Sequence, residues 1–195
     1  MAGKLRTTLF LLALFDAAMS NEGSPTKRNG RMPVDFIMFL NTTEDIWTYY
    51  STLKLPFKCK KDVISNISNT DVQLNESFLR KHVVEKFSHH GRLGHSTNSE
   101  SDPRNLMFIT EYYLNYNRKD VRYQTLDEKC VVIEVTRWDS TDLGTYDLLV
   151  WNSAIKKGMP PKSCKKKFSE YAKSRHQNIY TIYHDYCPFY YKKGQ

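Results

Sequence analysis

The sequence predicts a mainly β protein: one antiparallel sheet of about eight strands closed into a barrel, with a short helix before it and an α-helix after it. Three observations carry this reading. Short β-branched and aromatic runs follow one another with polar turns and no helical periodicity between them, the texture of a meander. In a chain of 195 residues, 40% hydrophobic and 13% aromatic, there is enough apolar surface for one core, which excludes a disordered chain. Closing such a sheet removes the edges an open one would expose, and eight strands leave room for one small ligand. The counts of 8 Gly and 7 Pro exclude collagen-like and low-complexity classes. A mean hydropathy of −0.60 excludes a polytopic membrane protein.

Lys4 and Arg6 precede the apolar run from Thr7 to Phe15, and Ala18 and Ser20 stand at the −3 and −1 positions of a cleavage after Ser20. Residues 1–20 therefore read as a secretory signal peptide. Their apolar run is far short of the roughly 20 residues that a membrane span needs, and no later stretch reaches that length. The expected product is secreted and extracellular, without a membrane span. Removing Lys4, Arg6 and Asp16 takes the formal charge from +8 to +7, so the basic bias belongs to the mature chain. Residues 21–32 are polar and aperiodic and read as a flexible arm; residues 33–195 read as one domain.

Within that domain the Asn41-Thr42-Thr43-Glu44 stretch offers an N-cap for a short helix ahead of Asp45, Ile46 and Trp47, leading into a first strand. Phe57 to Ile64 and Phe78 to Phe87 read as strands separated by an Asn/Ser-rich turn region. Residues 88–105, with Gly91, Gly94 and Pro103 as breakers, read as a polar loop. Leu106 to Tyr116, Val121 to Leu126, Lys129 to Val135 and Tyr146 to Trp151 read as four further strands. After Pro160-Pro161, Ser163 is placed to cap a helix through Lys165, Phe168, Tyr171 and Ala172, whose apolar spacing turns one face against the outer wall of the barrel. Ile179 to Tyr186 reads as a last strand ending at Cys187.

Cysteines at 59, 130, 164 and 187, an even number in an oxidising compartment, predict two disulfides, with three pairings open. Sequons at Asn41, Asn66 and Asn75 are the candidate glycosylation sites. The histidines stand at no zinc-like spacing from the cysteines, and His89, His90 and His95 read as solvated loop residues, so neither a metal nor a cofactor is expected. No G-x-S-x-G, H-E-x-x-H or P-loop is present and no acid–base pair is identified by spacing, so no catalytic residue is assigned and the chain does not read as an enzyme. The lysines from Lys162 to Lys167 and Lys192-Lys193 read as solvated surface, and without a nucleic-acid motif no nucleic-acid partner is expected. A monomer is expected.

The string Tyr146-Asp147-Leu148-Leu149-Val150-Trp151, the string Cys164-Lys165-Lys166-Lys167-Phe168-Ser169-Glu170-Tyr171-Ala172, and the run from Tyr180 to Cys187 resemble the C-terminal part of tick salivary lipocalins of the histamine-binding-protein group. That group shows a Y-E-L-W-like strand, a cysteine opening a K-F-x-E-Y-A helix, and a last strand closing at a cysteine. The resemblance implies a lipocalin domain over 33–195, pairing of Cys59 with Cys187 and of Cys130 with Cys164, and a Trp47 that seals the barrel floor. It also implies a salivary protein that sequesters host mediators such as histamine, serotonin, leukotrienes, fatty acids or sterols. Amine binders of the group carry Cys-Asp-aliphatic and Glu-Leu-aromatic; here the corresponding residues are Cys130-Val131-Val132 and Asp147-Leu148-Leu149.

A strand period of two turns Asp147, Leu149 and Trp151 inward together, and Val131, Ile133 and Val135 on the earlier strand. One carboxylate among aliphatic groups suits a small hydrophobic or amphipathic ligand of the sterol, fatty-acid or eicosanoid type better than an ammonium, which must be compensated when buried. The candidate lining is Phe108, Tyr112, Val131, Ile133, Asp147, Leu149 and Trp151. Two alternatives stand beside modulation of host inflammation by ligand capture: a biogenic-amine scavenger, and a module acting through its surface on a host immune-cell or complement protein.

Overall fold

Helix α1 (Phe36–Leu40) leads into eight strands, β1 (Ile46–Ser51), β2 (Lys58–Ile67), β3 (Asp71–Arg80), β4 (Val83–Gly94), β5 (Leu106–Glu111), β6 (Asn115–Thr125), β7 (Cys130–Arg137) and β8 (Thr145–Trp151). A 3-10 turn at Asn152–Ala154, helix α2 (Lys162–Ser174), the two-residue strand β9 (Tyr180–Thr181) and helix α3 (Cys187–Lys192) complete the chain. The computed structural model describes residues 34–97, 102–111, 115–137 and 143–192. The expected signal peptide and arm lie outside these residues. No helix among them is long and apolar enough to cross a membrane.

Each strand from β2 to β8 pairs antiparallel with the next, β8 pairs with β1, and β1 returns to β2 through Ile46↔Asp62 and Trp47↔Lys61, closing the barrel. Only the first half of β1 makes that closure. Between Lys58 and Lys61 the β2–β3 register shifts, and Cys59 there has φ of 55°. The second half of β1, Tyr50 and Ser51, pairs instead with Thr181 and Tyr180 of β9. The tail then spans the gap: Ile182 and Tyr183 donate N–H bonds to the Tyr49 carbonyl, while Cys59 donates to the Ile182 carbonyl. The Cys59–Cys187 disulfide ties the two sides together, and Cys130–Cys164 ties β7 to α2. Both pairings are those the resemblance implied.

Alternation sorts the side chains into two cores. Inside, Val72, Leu74, Met107, Ile109, Val121, Val131, Ile133, Val135 and Leu149 pack with Phe36, Phe39 and Leu40 of α1, which closes one end. Outside, Trp47, Val132, Leu148 and Val150 pack with Cys164 and Phe168 of α2 and with Tyr183 and Cys187 of the tail. Strands β7 and β8 are thus buried on both faces, which is why they read as nearly unbroken apolar runs. Two charged residues of the outer face are held by arginines: Glu134 accepts from Arg122 at 2.6 Å and from Arg175, just beyond α2, at 2.6 Å, and Asp120 accepts from Arg118 at 2.8 Å.

Several expected elements are corrected. The first helix precedes Asn41: Asp35 caps it by accepting from the Ile37 N–H at 2.9 Å, and Asn41 is its C-cap. Phe36 and Phe39, three residues apart and both fully buried, place it. The Phe78 to Phe87 run is a hairpin, because Lys81 and His82 both take positive φ, 48° and 67°, as a two-residue turn of the I′ kind requires. Strand β4 continues to Gly94, drawing much of the expected 88–105 loop into the sheet. Gly91 fits there because it lies opposite Val72 and Ile109, and a Cβ would come within 3.0 Å of Val72 and Met107. The Leu106 to Tyr116 run divides into β5 and the start of β6.

Ser163 is not the cap of α2. Pro161 holds that position without a side-chain bond, and the Ser163 hydroxyl donates to Glu128. The helix ends in a Schellman arrangement with His176 at φ 54°, Gln177 N–H bonding Ala172 and His176 N–H bonding Lys173. The expected last strand shrinks to β9, and the residues from Cys187 onward form α3.

The two disulfides close separations of 128 and 34 residues. Chain-entropy reasoning gives them about 5 and about 4 kcal/mol respectively. Replacing Cys130 and Cys164 together by alanine is expected to lower Tm by about 10 °C, and the Cys59/Cys187 pair by more, measured calorimetrically. Equal or reversed effects would contradict this ordering.

Candidate functional site

The barrel interior has two unlike halves. At the end closed by α1, Trp151 turns inward, meets the Phe39 ring at a tilt with centroids 5.8 Å apart and donates its indole N–H to the Phe39 carbonyl at 3.1 Å. Val131, Ile133 and Ile109 above it are 0% exposed, so no water-sized space touches them. This half is a packed aliphatic floor. Trp47, expected at the floor, faces outward under the C-terminal tail instead: it donates to Asn152 at 3.0 Å and meets Tyr183 and Tyr191 edge-on. The β1–β2 register places it beside Lys61 rather than among the interior residues.

The other half, where β1, β3, β5 and β7 end, is the mouth. Phe57 stacks on Phe78 at 4.2 Å, Phe78 on Phe87 at 5.6 Å, and Phe87 on His89 at 6.4 Å, forming an aromatic wall. Beside it Lys60 pairs with Glu76 at 2.7 Å, with both side chains almost fully buried, and His89 Nε2 lies 3.7 Å from the other Glu76 oxygen. Asp62 faces Glu76 across β2 and β3. Register with Ile133 and Ser51 brings Asp147 inward, and register with Met107 and Val135 brings Lys119 inward. Lys60, Asp62, Glu76, Lys119 and Asp147 are all buried. The interior therefore holds three carboxylates and two ammonium groups among the described residues, where the sequence reading expected a single carboxylate.

That miss has a physical origin. Strand β2 carries Lys60 and Asp62 inward in regular alternation with Ile64, a phase the sequence leaves unassigned, and the expected start of the next strand at Phe78 is seven residues later than Asp71, where β3 begins. Glu76 thus falls in the expected Asn/Ser-rich turn region rather than on a strand.

Of the expected lining residues, Val131, Ile133, Asp147 and Leu149 converge on the interior, Trp151 reaches the floor, and Phe108 departs from the set. Phe108 sits opposite Arg118 and Arg92, out of phase with the interior residues Met107 and Ile109, so alternation sends it to the outer face. Tyr112 lies outside the described residues. His89 and His90 point to opposite faces of β4, His90 toward Asp71 at 3.1 Å. Glu128, Cys130 and Cys164 bring three ligand-type atoms together, but both sulfurs are committed to a disulfide. Asn41, Asn66 and Asn75 are all exposed.

Residues 38–188 match the family described as tick histamine binding protein. No curated protein matches in sequence. Among solved structures, the AM182 serotonin complex is similar with a TM-score of 0.61 at 17% identity, covering 81% of this chain and 95% of its own. The siderocalin Ex-FABP is similar with a TM-score of 0.52 at 10% identity, covering 73% and 94%. Odorant binding protein OBP1 is similar with a TM-score of 0.51 at 10% identity, covering 82% and 97%. At these identities the likeness is one of fold.

Breaking the Lys60–Glu76 pair from one side leaves the partner buried and uncompensated. Lys60→Met is expected to cost about 3 kcal/mol in urea unfolding, and Lys60→Met with Glu76→Leu to recover most of it. A double variant as unstable as the single one would show that the pair is not a unit.

Proposed function

The chain belongs to the tick histamine binding protein family, and from that premise we propose that it is a secreted salivary lipocalin whose barrel sequesters a small amphipathic host molecule and so dampens inflammation. The observation that carries this reading is the divided interior: an aliphatic floor under Leu149 and Val135, and a mouth of aromatic rings and charged groups. A ligand with a hydrocarbon or ring body and one polar end matches both halves, its body gaining from apolar burial and its polar end from the fixed groups. Asp147, Leu149 and Val135 face the interior, with Val131 and Ile133 beside them, and they are the residues we assign to the ligand; sterols, fatty acids and eicosanoids are the corresponding ligand class.

A biogenic amine is the second reading, favoured by the excess of interior carboxylates, Asp62, Glu76 and Asp147, over Lys60 and Lys119. An ammonium ligand would meet carboxylates there, and the aromatic wall offers ring faces to it. Secretion is supported by the leader pattern and the two disulfides, and the exposed sequons suit glycan attachment.

Native mass spectrometry of the glycosidase-treated secreted protein, followed by denaturing extraction, tests the leading reading: a stoichiometric lipid-like molecule is expected. An empty barrel that takes up histamine or serotonin but no lipid would overturn it in favour of the amine. Asp147→Asn separates the two further. It is expected to leave the affinity for a neutral sterol within about twofold, whereas an amine would lose about tenfold or more on losing a buried charge partner.

A further inference from the structure

A second concavity lies outside the barrel, against the seam. The connection from β1 to β2 supplies Lys54, Leu55, Pro56 and Phe57; the β3–β4 turn supplies Lys81 and His82; the tail supplies Tyr180, Ile182, Tyr186 and Tyr190. The groove they line, with Lys58 and Leu79, has a volume of about 740 Å³, within the range of small-molecule sites. Phe57 is its boundary with the barrel: the ring stacks on Phe78 of the mouth wall while the residue also borders the groove.

Three properties distinguish it from an ordinary lysine-bearing surface. Its floor is apolar, with Leu79 and Ile182 buried beneath exposed rims. Its charges have one sign: Lys54, Lys58 and Lys81 are exposed, none forms an ion pair with a described residue, and no lining residue is acidic. Its walls are fixed relative to one another, because the Cys59–Cys187 disulfide and the Cys59 to Ile182 hydrogen bond join the start of β2 to the tail. The field reaches the neighbouring tail: burial first, and then the Lys58 ammonium, hold the His184 imidazole below its ordinary pKa.

We propose that this outer groove is a ligand site separate from the barrel interior and that it takes a small amphipathic anion, a carboxylate or sulfonate on an apolar or aromatic body. The body lies on Leu79, Ile182 and the tyrosine rings, and the anionic end lies among Lys54, Lys58 and Lys81, whose like charges are uncompensated until it binds. The proposal stands whichever molecule occupies the barrel.

The probe is 8-anilinonaphthalene-1-sulfonate, with uncharged N-phenyl-1-naphthylamine as its control, titrated into the full secreted protein and into a Val135→Trp variant whose mouth is filled. NMR of the aromatic side chains is expected to move Tyr180, Tyr186 and Tyr190 on addition of the sulfonate, in both proteins. Lys54→Glu with Lys58→Glu, two exposed positions, is expected to weaken sulfonate binding at least fivefold at low salt and to leave the uncharged probe unaffected. A smaller loss, or shifts confined to barrel residues, overturns the proposal. Because the NMR mapping uses the unaltered chain, misfolding of the variant does not shield the proposal. Failure of the barrel reading would instead appear as an unchanged ligand complement in Val135→Trp.

Discussion

Closure of the barrel depends on a splice. Strand β1 has a partner in β2 for two residues only, Ile46 and Trp47, and the unpaired N–H and C=O groups that follow would leave an open edge in an otherwise continuous wall. The tail residues 180–183 fill it, pairing with β1 on one side and with Cys59 on the other. Most other features lean on this join. Trp47 is buried because Tyr183 and Tyr191 lie over it. The Lys61 ammonium sits 5.7 Å from the Trp47 ring and 4.5 Å from that of Tyr191. The Tyr191 hydroxyl in turn donates to the Cys59 carbonyl at 2.6 Å.

The two faces of the wall serve different ends. Outward-facing residues of β7 and β8 are spent on stability, packing against Cys164 and Phe168 of α2 and clamping Glu134 between two arginines. Inward-facing residues make a gradient, dry and aliphatic at the α1 end, charged and aromatic at the mouth. A fully apolar interior of the same volume would be at least as stable, since buried ion pairs add little net free energy. On the proposed reading, Lys60, Asp62, Glu76, Lys119 and Asp147 serve the ligand rather than the architecture.

The fold was legible in the sequence where a run is buried on both faces or carries a helical stripe: β7, β8 and α2 are found where their residues place them. It was illegible where backbone conformation breaks the usual residue code. Lys81-His82 forms a tight turn without Asn or Gly, His176 ends a helix where glycine is customary, and Cys59 accompanies a register shift in β2 that no local pattern announces. The site was legible in part. Parity arguments worked on β7 and β8, which keep a regular alternation, and brought Val131, Ile133, Asp147 and Leu149 to one side. They were not carried to Lys60 and Asp62, on a strand whose faces the sequence leaves unassigned, nor to Glu76, which falls in the expected turn region; Phe108 was placed by aromatic content, which does not fix its phase relative to Met107 and Ile109.

The splice also sets an order of events during synthesis. A chain that emerges N-terminus first exposes the second half of β1 as a bare strand edge until residue 180 has been made, and the Cys59 thiol meets Cys130 and Cys164 before its own partner exists. Pairing of Cys59 is thereby deferred until Cys187 has been made, and in the meantime the nascent barrel is vulnerable to non-native thiol exchange and to edge association. The protein is built like a vessel whose closing stave, residues 180–183, is laid long after the gap it fills.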